Sequence, residues 1–265
     1  MKLSIITVNL NDAAGLRKTI ESVVSQAFTD YEFIVIDGGS TDGSVDIIKQ
    51  YADKINYWES EPDRGIYHAM NKGIMRAKGE YCQFLNSGDW IIKNDGLQQI
   101  FDKKPDEDIL YCDAHLGNEK RVYPDSLNLL FFIESTITHQ AAFIKRSLFK
   151  TFGLYDEEIK IVSDWEFWLK TIIKGQCSYR HIPLFLVYFD VNGISWTSHY
   201  HIVLLEKEKI LKDYYPEMCD VFKELILLRE ELNFYKYSKP IQLVKKVQLS
   251  GFYKKIKMIV KKKST

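Results

Sequence analysis

Over its first third the chain alternates apolar, strand-like runs with helix signals, and this alternation narrows its possible folds more than any other feature. Leu3 to Val8 is a short, mostly apolar run of the kind found in buried strands. Asp12 can cap a helix over about Gly15–Gln26, whose Leu16, Ile20, Val23 and Val24 share one face. Tyr31–Ile36 reads as the next strand, and a helix follows over about Gly43–Tyr51. A short strand near Ile55–Glu59, a helix over about Gly65–Ala77 and a strand at Tyr81–Leu85 continue the pattern. Strands separated by helices predict a mostly parallel sheet flanked by helices, an α/β fold. Further on, Ile109–Cys112, Gln140–Ile144 and Ile182–Phe189 read as strands. Asp164–Lys174 reads as a helix with Trp165, Trp168, Leu169 and Ile172 inward. After about residue 200 only helical periodicity remains, over His201–Tyr214 and Glu217–Tyr235.

Open α/β sheets bind ligands beyond the carboxyl ends of their strands, so polar residues at those ends are the first candidates. Asp37 follows the second strand, Asp89 closes Asn86-Ser87-Gly88-Asp89 after another, and Asp164 opens a late helix. Separated carboxylates at a sheet edge can accept hydrogen bonds from a hydroxyl-rich or nucleotide ligand, or hold Mg2+ or Mn2+. Each also has a local explanation, as turn chemistry at Asp37-Gly38-Gly39, a loop at Asn86–Asp89 or a helix N-terminus at Asp164. Asp63-Arg64-Gly65 opens a helix, and an arginine beside a helix N-terminus suits a phosphate. Asn71 lies two turns further in, on a ligand or in solvent. Neither a G-x-G-x-x-G nor a G-x-x-x-x-G-K-[ST] motif is present, so dinucleotide and P-loop chemistry have no support.

Five stretches, in order, resemble the family-2 inverting glycosyltransferases, whose catalytic domain has the GT-A fold. They are Leu3–Asn11, Phe33–Gly43, Asp63–Asn71, Gly79–Asp89 and Ser163–Trp168. The resemblance covers residues 1–200 and leaves 201–265 as a helical extension ending in a basic tail. It implies a nucleotide-sugar donor, UDP-linked by preference, and an acceptor hydroxyl on a glycan or lipid-linked molecule in bacterial surface polysaccharide synthesis. By the same resemblance Thr7 and Asp37 would line the base pocket, and Asn9, Asp63, Arg64, Asn71 and Ser87 would lie along the donor. Asp89 would grip Mn2+ or Mg2+, and Asp164 would be the catalytic base. His139, Gln140 and Trp165 would face the acceptor. The family's metal motif usually has two nearby acidic residues, whereas here Asn86 and Ser87 precede a lone Asp89; His199 is a candidate late ligand. The rival readings are a non-catalytic nucleotide- or sugar-binding protein on this fold, and a nucleotidyltransferase. The second would carry a glycine- and lysine-rich loop where this chain has Asn9–Gly15.

Lysine plus arginine number 36 and aspartate plus glutamate also 36, which argues against a chain built mainly to coat nucleic acid. Ten of the lysines fall between Leu232 and Thr265, where no acidic residue occurs, leaving 26 basic against 36 acidic groups before them. Leu249, Phe252, Ile256 and Ile259 make an apolar stripe among these lysines, a pattern suited to an anionic membrane surface. A helix packed on the body and a disordered end are the alternatives. Cys82, Cys112, Cys177 and Cys219 form no C-x-x-C pair, which favours reduced thiols. With no signal-peptide pattern and no apolar run near ~20 residues, the expected location is cytoplasmic, with peripheral attachment at the inner face of the membrane. The Glu217–Tyr235 helix could pair with a second copy.

Overall fold

The computed structural model describes residues 1–191 and 200–237. The chain forms two compact units, residues 1–207 and 208–265. The first unit begins with β1 (Leu3–Asn9), α1 (Ala13–Val24), β2 (Tyr31–Asp37), α2 (Ser44–Gln50), β3 (Tyr57–Ser60), α3 (Ile66–Arg76) and β4 (Tyr81–Phe84). Strand β1 lies between β2 and β4, all parallel, and β3 extends the sheet beyond β2. The buried faces follow the sequence pattern. In α1, Leu16, Ile20 and Val23 are fully buried, while Val24 stays at the edge of the core. Asp12 caps α1 by accepting from the Gly15 amide at 3.0 Å, as its residue type favours. Helix α3 lies close to β1, where a Cβ on Gly73 would meet Ile6 Cγ2 at 2.4 Å.

The sheet continues through β5 (Trp90–Ile91), α4 (Gly96–Phe101), β6 (Ile109–Leu116), β7 (Glu119–Arg121) and α5 (Leu129–Glu134). A 3-10 turn (His139–Ala141), β8 (Ala142–Lys145), α6 (Arg146–Phe152), α7 (Ser163–Trp168), a π-helical turn (Leu169–Lys174) and β9 (Tyr179–Phe189) follow. The strand order is β3-β2-β1-β4-β8-β6-β9-β5, with β7 paired to β6. Strand β8 runs antiparallel to both its neighbours, and β9 is parallel to β6. A buried apolar run carries no direction in its residue types, so the reversal of β8 is not readable from Gln140–Ile144.

The helix expected over Asp164–Lys174 is α7 followed by the π turn. Its predicted inward residues Trp165, Trp168, Leu169 and Ile172 are all buried. The two indoles also anchor the preceding loop, Trp165 Nε1 donating to Phe132 O at 2.7 Å and Trp168 Nε1 to Ile137 O at 3.3 Å. The π turn arises where the Gly175 amide reaches Lys170 O. Helices α8 (Tyr200–Tyr214) and α9 (Cys219–Tyr237) complete the described chain. No described helix is long and apolar enough to cross a membrane. All four cysteines are free.

Candidate active site

Parallel register aligns Asn9, Asp37 and Ser60 at the ends of β1, β2 and β3. Asp37 is fully buried. Its carboxylate accepts from Asn9 Nδ2 (2.6 Å), Ser40 Oγ (2.6 Å) and Ser60 Oγ (2.6 Å), and from the amides of Gly39 (3.2 Å) and Ser40 (2.9 Å). Burial alone would raise its pKa, but the bonds from Ser40, Ser60 and Asn9 outweigh it and hold the carboxyl below the ordinary range. Thr7 is equally buried and gives its hydroxyl to Leu85 O at 2.7 Å. Thr7 and Asp37, expected to line a base pocket, and Asn9, expected along the donor, thus lie within the strand ends with their polar groups bonded to protein. The exception is Asn9 Oδ1, which is buried without a partner.

Around the start of α3, Asp63 accepts from the Gly65 amide at 2.9 Å and leaves no space for a side chain at Gly38, where a Cβ would meet its Oδ2 at 2.5 Å. Arg64 is exposed and pairs with Glu157 at 2.6 Å. Asn71 does not lie in solvent, and its side chain is bonded to protein. It is 2% exposed, its Nδ2 donates to Tyr155 O (2.9 Å) and Glu157 Oε1 (3.1 Å), and its Oδ1 accepts from the Tyr155 amide (3.0 Å). An amide matches one backbone donor and one acceptor together, which explains an asparagine on this packed face. Ser87 is half-buried and its backbone amide donates to Val8 O.

The 3-10 turn His139–Ala141 joins the other two carboxylates. His139 Nδ1 lies 2.9 Å from Asp164 Oδ2, and Gln140 Nε2 donates to Asp89 Oδ2 at 2.9 Å. Asp89 Oδ1 accepts from the Asp190 amide at 2.8 Å. Asp89 is 3% exposed, and burial pushes its carboxyl up to about 7. Asn86 Nδ2 sits 3.3 Å from His139 Nε2. A hydrogen on Nδ1 lets His139 donate to Asp164 while Nε2 meets the Asn86 amide. The Tyr67 hydroxyl lies 2.6 Å from Ile161 O and 3.1 Å from Asp164 Oδ1. Burial, with the Asp164 charge beside it, raises the Tyr67 phenol well above its usual range and keeps it protonated. The Asp164 side chain is 14% exposed. It opens, with Tyr67, His139, Gln140 and Trp165, onto a cavity of about 670 Å3. Tyr67 was not singled out from the sequence. Its only signal was its place within Asp63–Asn71.

Asp89 offers one carboxylate as a hard ligand, and each of its oxygens, accepting one hydrogen bond, retains a second lone pair. A buried carboxylate with a raised pKa suits a divalent cation as counter-charge. Among the described residues no three His, Cys, Asp or Glu side chains stand close enough to hold a metal, so an ion here would depend on ligand oxygens and water. His199 lies outside the described residues.

A mostly parallel sheet flanked by helices, with β8, β5 and β7 running against the other strands, is the architecture of GT-A glycosyltransferase structures. Residues 4–159 match the model of glycosyl transferase family 2, and the chain belongs to that family: it is a glycosyltransferase. An uncharacterized glycosyltransferase of Mycobacterium tuberculosis is 34% identical over 201 residues, spanning 72% of this chain and 76% of that one. A PGL/p-HBAD biosynthesis glycosyltransferase of the same organism is 29% identical over 202 residues, spanning 73% and 79%. The crystal structure of S. aureus TarS residues 1–349 with UDP-GlcNAc superposes with a TM-score of 0.66 at 21% identity, over 91% of this chain and 74% of that one. The chain spans 44% of the longer TarS chain.

Proposed function

We propose that the protein transfers a sugar with inversion from a nucleoside-diphosphate donor, UDP-linked by preference, to an acceptor hydroxyl deprotonated by Asp164. The observation that carries this reading is the pair of adjacent residues His139 and Gln140, which hold Asp164 and Asp89 in one neighbourhood. The acceptor oxygen attacks the anomeric carbon as its proton passes to Asp164, and the bond to the diphosphate oxygen breaks on the opposite face. His139 keeps Asp164 oriented through Nδ1–H, and the Tyr67 hydroxyl borders its other oxygen. Asp164 is recessed but reachable from the cavity, so a bound acceptor can displace water from it. The donor lies over the strand ends, between the Asn9–Asp37 pair, Asp63 and Arg64 on one side and Ser87 and Asp89 on the other. Asp89 would hold Mn2+ or Mg2+ jointly with the diphosphate; when bound, the ion supplies positive charge to the leaving group.

The acceptor belongs to a glycan or glycolipid of the cell surface, and the enzyme works at the inner face of the membrane. Residues 240–265, to which we assign attachment to anionic lipid, lie outside the described residues, and self-pairing through the Glu217–Tyr235 helix accompanies this proposal.

Incubation with common nucleotide sugars and Mn2+ or Mg2+ tests the donor, read by thermal protection and slow release of nucleoside diphosphate. Asp164→Asn should lower transfer by about 10²–10⁴-fold while leaving thermal protection by the donor intact. Near-normal turnover would remove Asp164 from the role. Proton NMR of the first-formed product should show the anomeric configuration opposite to the donor's, and retention would refute inversion.

A further inference from the structure

We infer that the acceptor carries an apolar aglycone and that this aglycone occupies the cavity beside Asp164. The inference rests on the reading of Asp164 as the base. Apolar residues from six segments line that cavity: Ile66 at the start of α3, Leu116 at the end of β6, Ile137 before the 3-10 turn, Val162 before α7, Trp165 within α7 and Phe189 at the end of β9.

Several polar tips of the same wall are already engaged, while Glu119, Lys120 and Lys160 also border the cavity. Trp165 Nε1 is bound to Phe132 O, and the Tyr67 hydroxyl to Ile161 O and Asp164. Gln140 Nε2 serves Asp89, and Arg121 Nη2 donates to Ser135 Oγ. The Tyr123 hydroxyl meets Thr138 Oγ1 at 2.6 Å and accepts from the Thr138 amide at 3.0 Å. Lys207 Nζ stands 4.6 Å over the Trp165 ring, so that face of the indole is covered by a cation.

An acceptor made only of sugar rings would bring hydroxyls against the hydrocarbon part of this wall and lose their water bonds there. An alkyl or aryl group loses nothing polar there and gains from leaving water. About 670 Å3 falls within the range of pockets that enclose a whole small ligand, so the space extends well beyond the reacting hydroxyl.

The test uses the full chain and titrates methyl, butyl and octyl β-D-glucopyranoside below micelle-forming concentrations by calorimetry, in the presence of UDP and Mn2+. Affinity should rise by about fourfold per added methylene while the chain fits the cavity, so that the octyl glycoside binds at least about fiftyfold tighter than the methyl one. Equal affinities would overturn the inference. Leu116→Ser should cut the octyl advantage by about tenfold, with thermal protection by UDP reporting that the variant is folded. An undiminished advantage in that variant means that octyl binding is elsewhere, and this too overturns the inference. Asp164→Asn should keep the octyl preference in binding and lose transfer. If the preference persists and transfer also persists, the assignment of the base fails while the apolar subsite stands.

Discussion

Asn71→Ala separates a donor-contacting asparagine from one that braces the fold. Asn71 is 2% exposed and makes three hydrogen bonds, two to the backbone of Tyr155 and one to Glu157. Truncation leaves the Tyr155 amide and carbonyl facing an apolar methyl, next to a buried aromatic ring. An unsatisfied buried group costs about 1–3 kcal/mol, so the two together predict a loss of ~2–6 kcal/mol, with the remaining contact to Glu157 adding little. Asn71→Asp should be worse, because a carboxylate oxygen then faces Tyr155 O and Glu157 Oε1. The measurement is urea unfolding with the midpoint and slope both recorded, beside the dissociation constant for UDP well below the unfolding transition. The expected result is a lower midpoint at unchanged slope, with UDP affinity changed less than about threefold. A stability loss under ~1 kcal/mol together with a large loss of UDP affinity would refute the bracing role and restore Asn71 to the donor.

Three further outcomes follow from the geometry. The Asp89 carboxyl, lifted by burial from its ordinary value near 3.8 to about 7, binds its proton more tightly in the folded state. The protein without metal should therefore be most stable below pH 4 with respect to this group and lose up to ~4 kcal/mol as pH rises through 7; urea midpoints at pH 5 and 8 in EDTA check this, and addition of Mn2+ with UDP should narrow the gap. His139→Ala removes the Nδ1–H donor to Asp164 and should lower kcat by about 10–100-fold, the worth of a hydrogen bond to a charged group, with donor KM nearly unchanged. His139→Asn should recover part of the loss, and equal kcat in all three proteins would count against a positioning role. Gly79→Ala places a Cβ 2.5 Å from Ser4 N and 2.6 Å from Leu3 C. Because these are backbone atoms of a central strand, the melting temperature should fall sharply, by more than ~2 kcal/mol in stability.

The five quoted stretches were legible because each couples a strand or helix to a polar residue at its end. Leu3–Asn11 and Phe33–Gly43 became β1 and β2 with their terminal Asn9 and Asp37 in register. Trp165, Trp168, Leu169 and Ile172 went inward as their spacing required. The bracing bonds of Asn71 were not legible because an asparagine on a helix gives no hint of the backbone segment, 84 residues later, that it binds. The small elements β5, β7 and α5 escaped notice because two to six residues carry too little periodicity to register.

The residue order by itself determined the alternating α/β plan, the family, and which carboxylates stand at element ends, because periodicity and turn chemistry act between near neighbours. Tertiary structure alone decided that β8 runs backwards, that Asp37 is spent on bonds within the strand ends, and that His139 and Gln140 reach Asp164 and Asp89. Hydrogen bonds between residues 25 or 51 positions apart depend on where the sheet brings their backbones, and no local pattern encodes that distance.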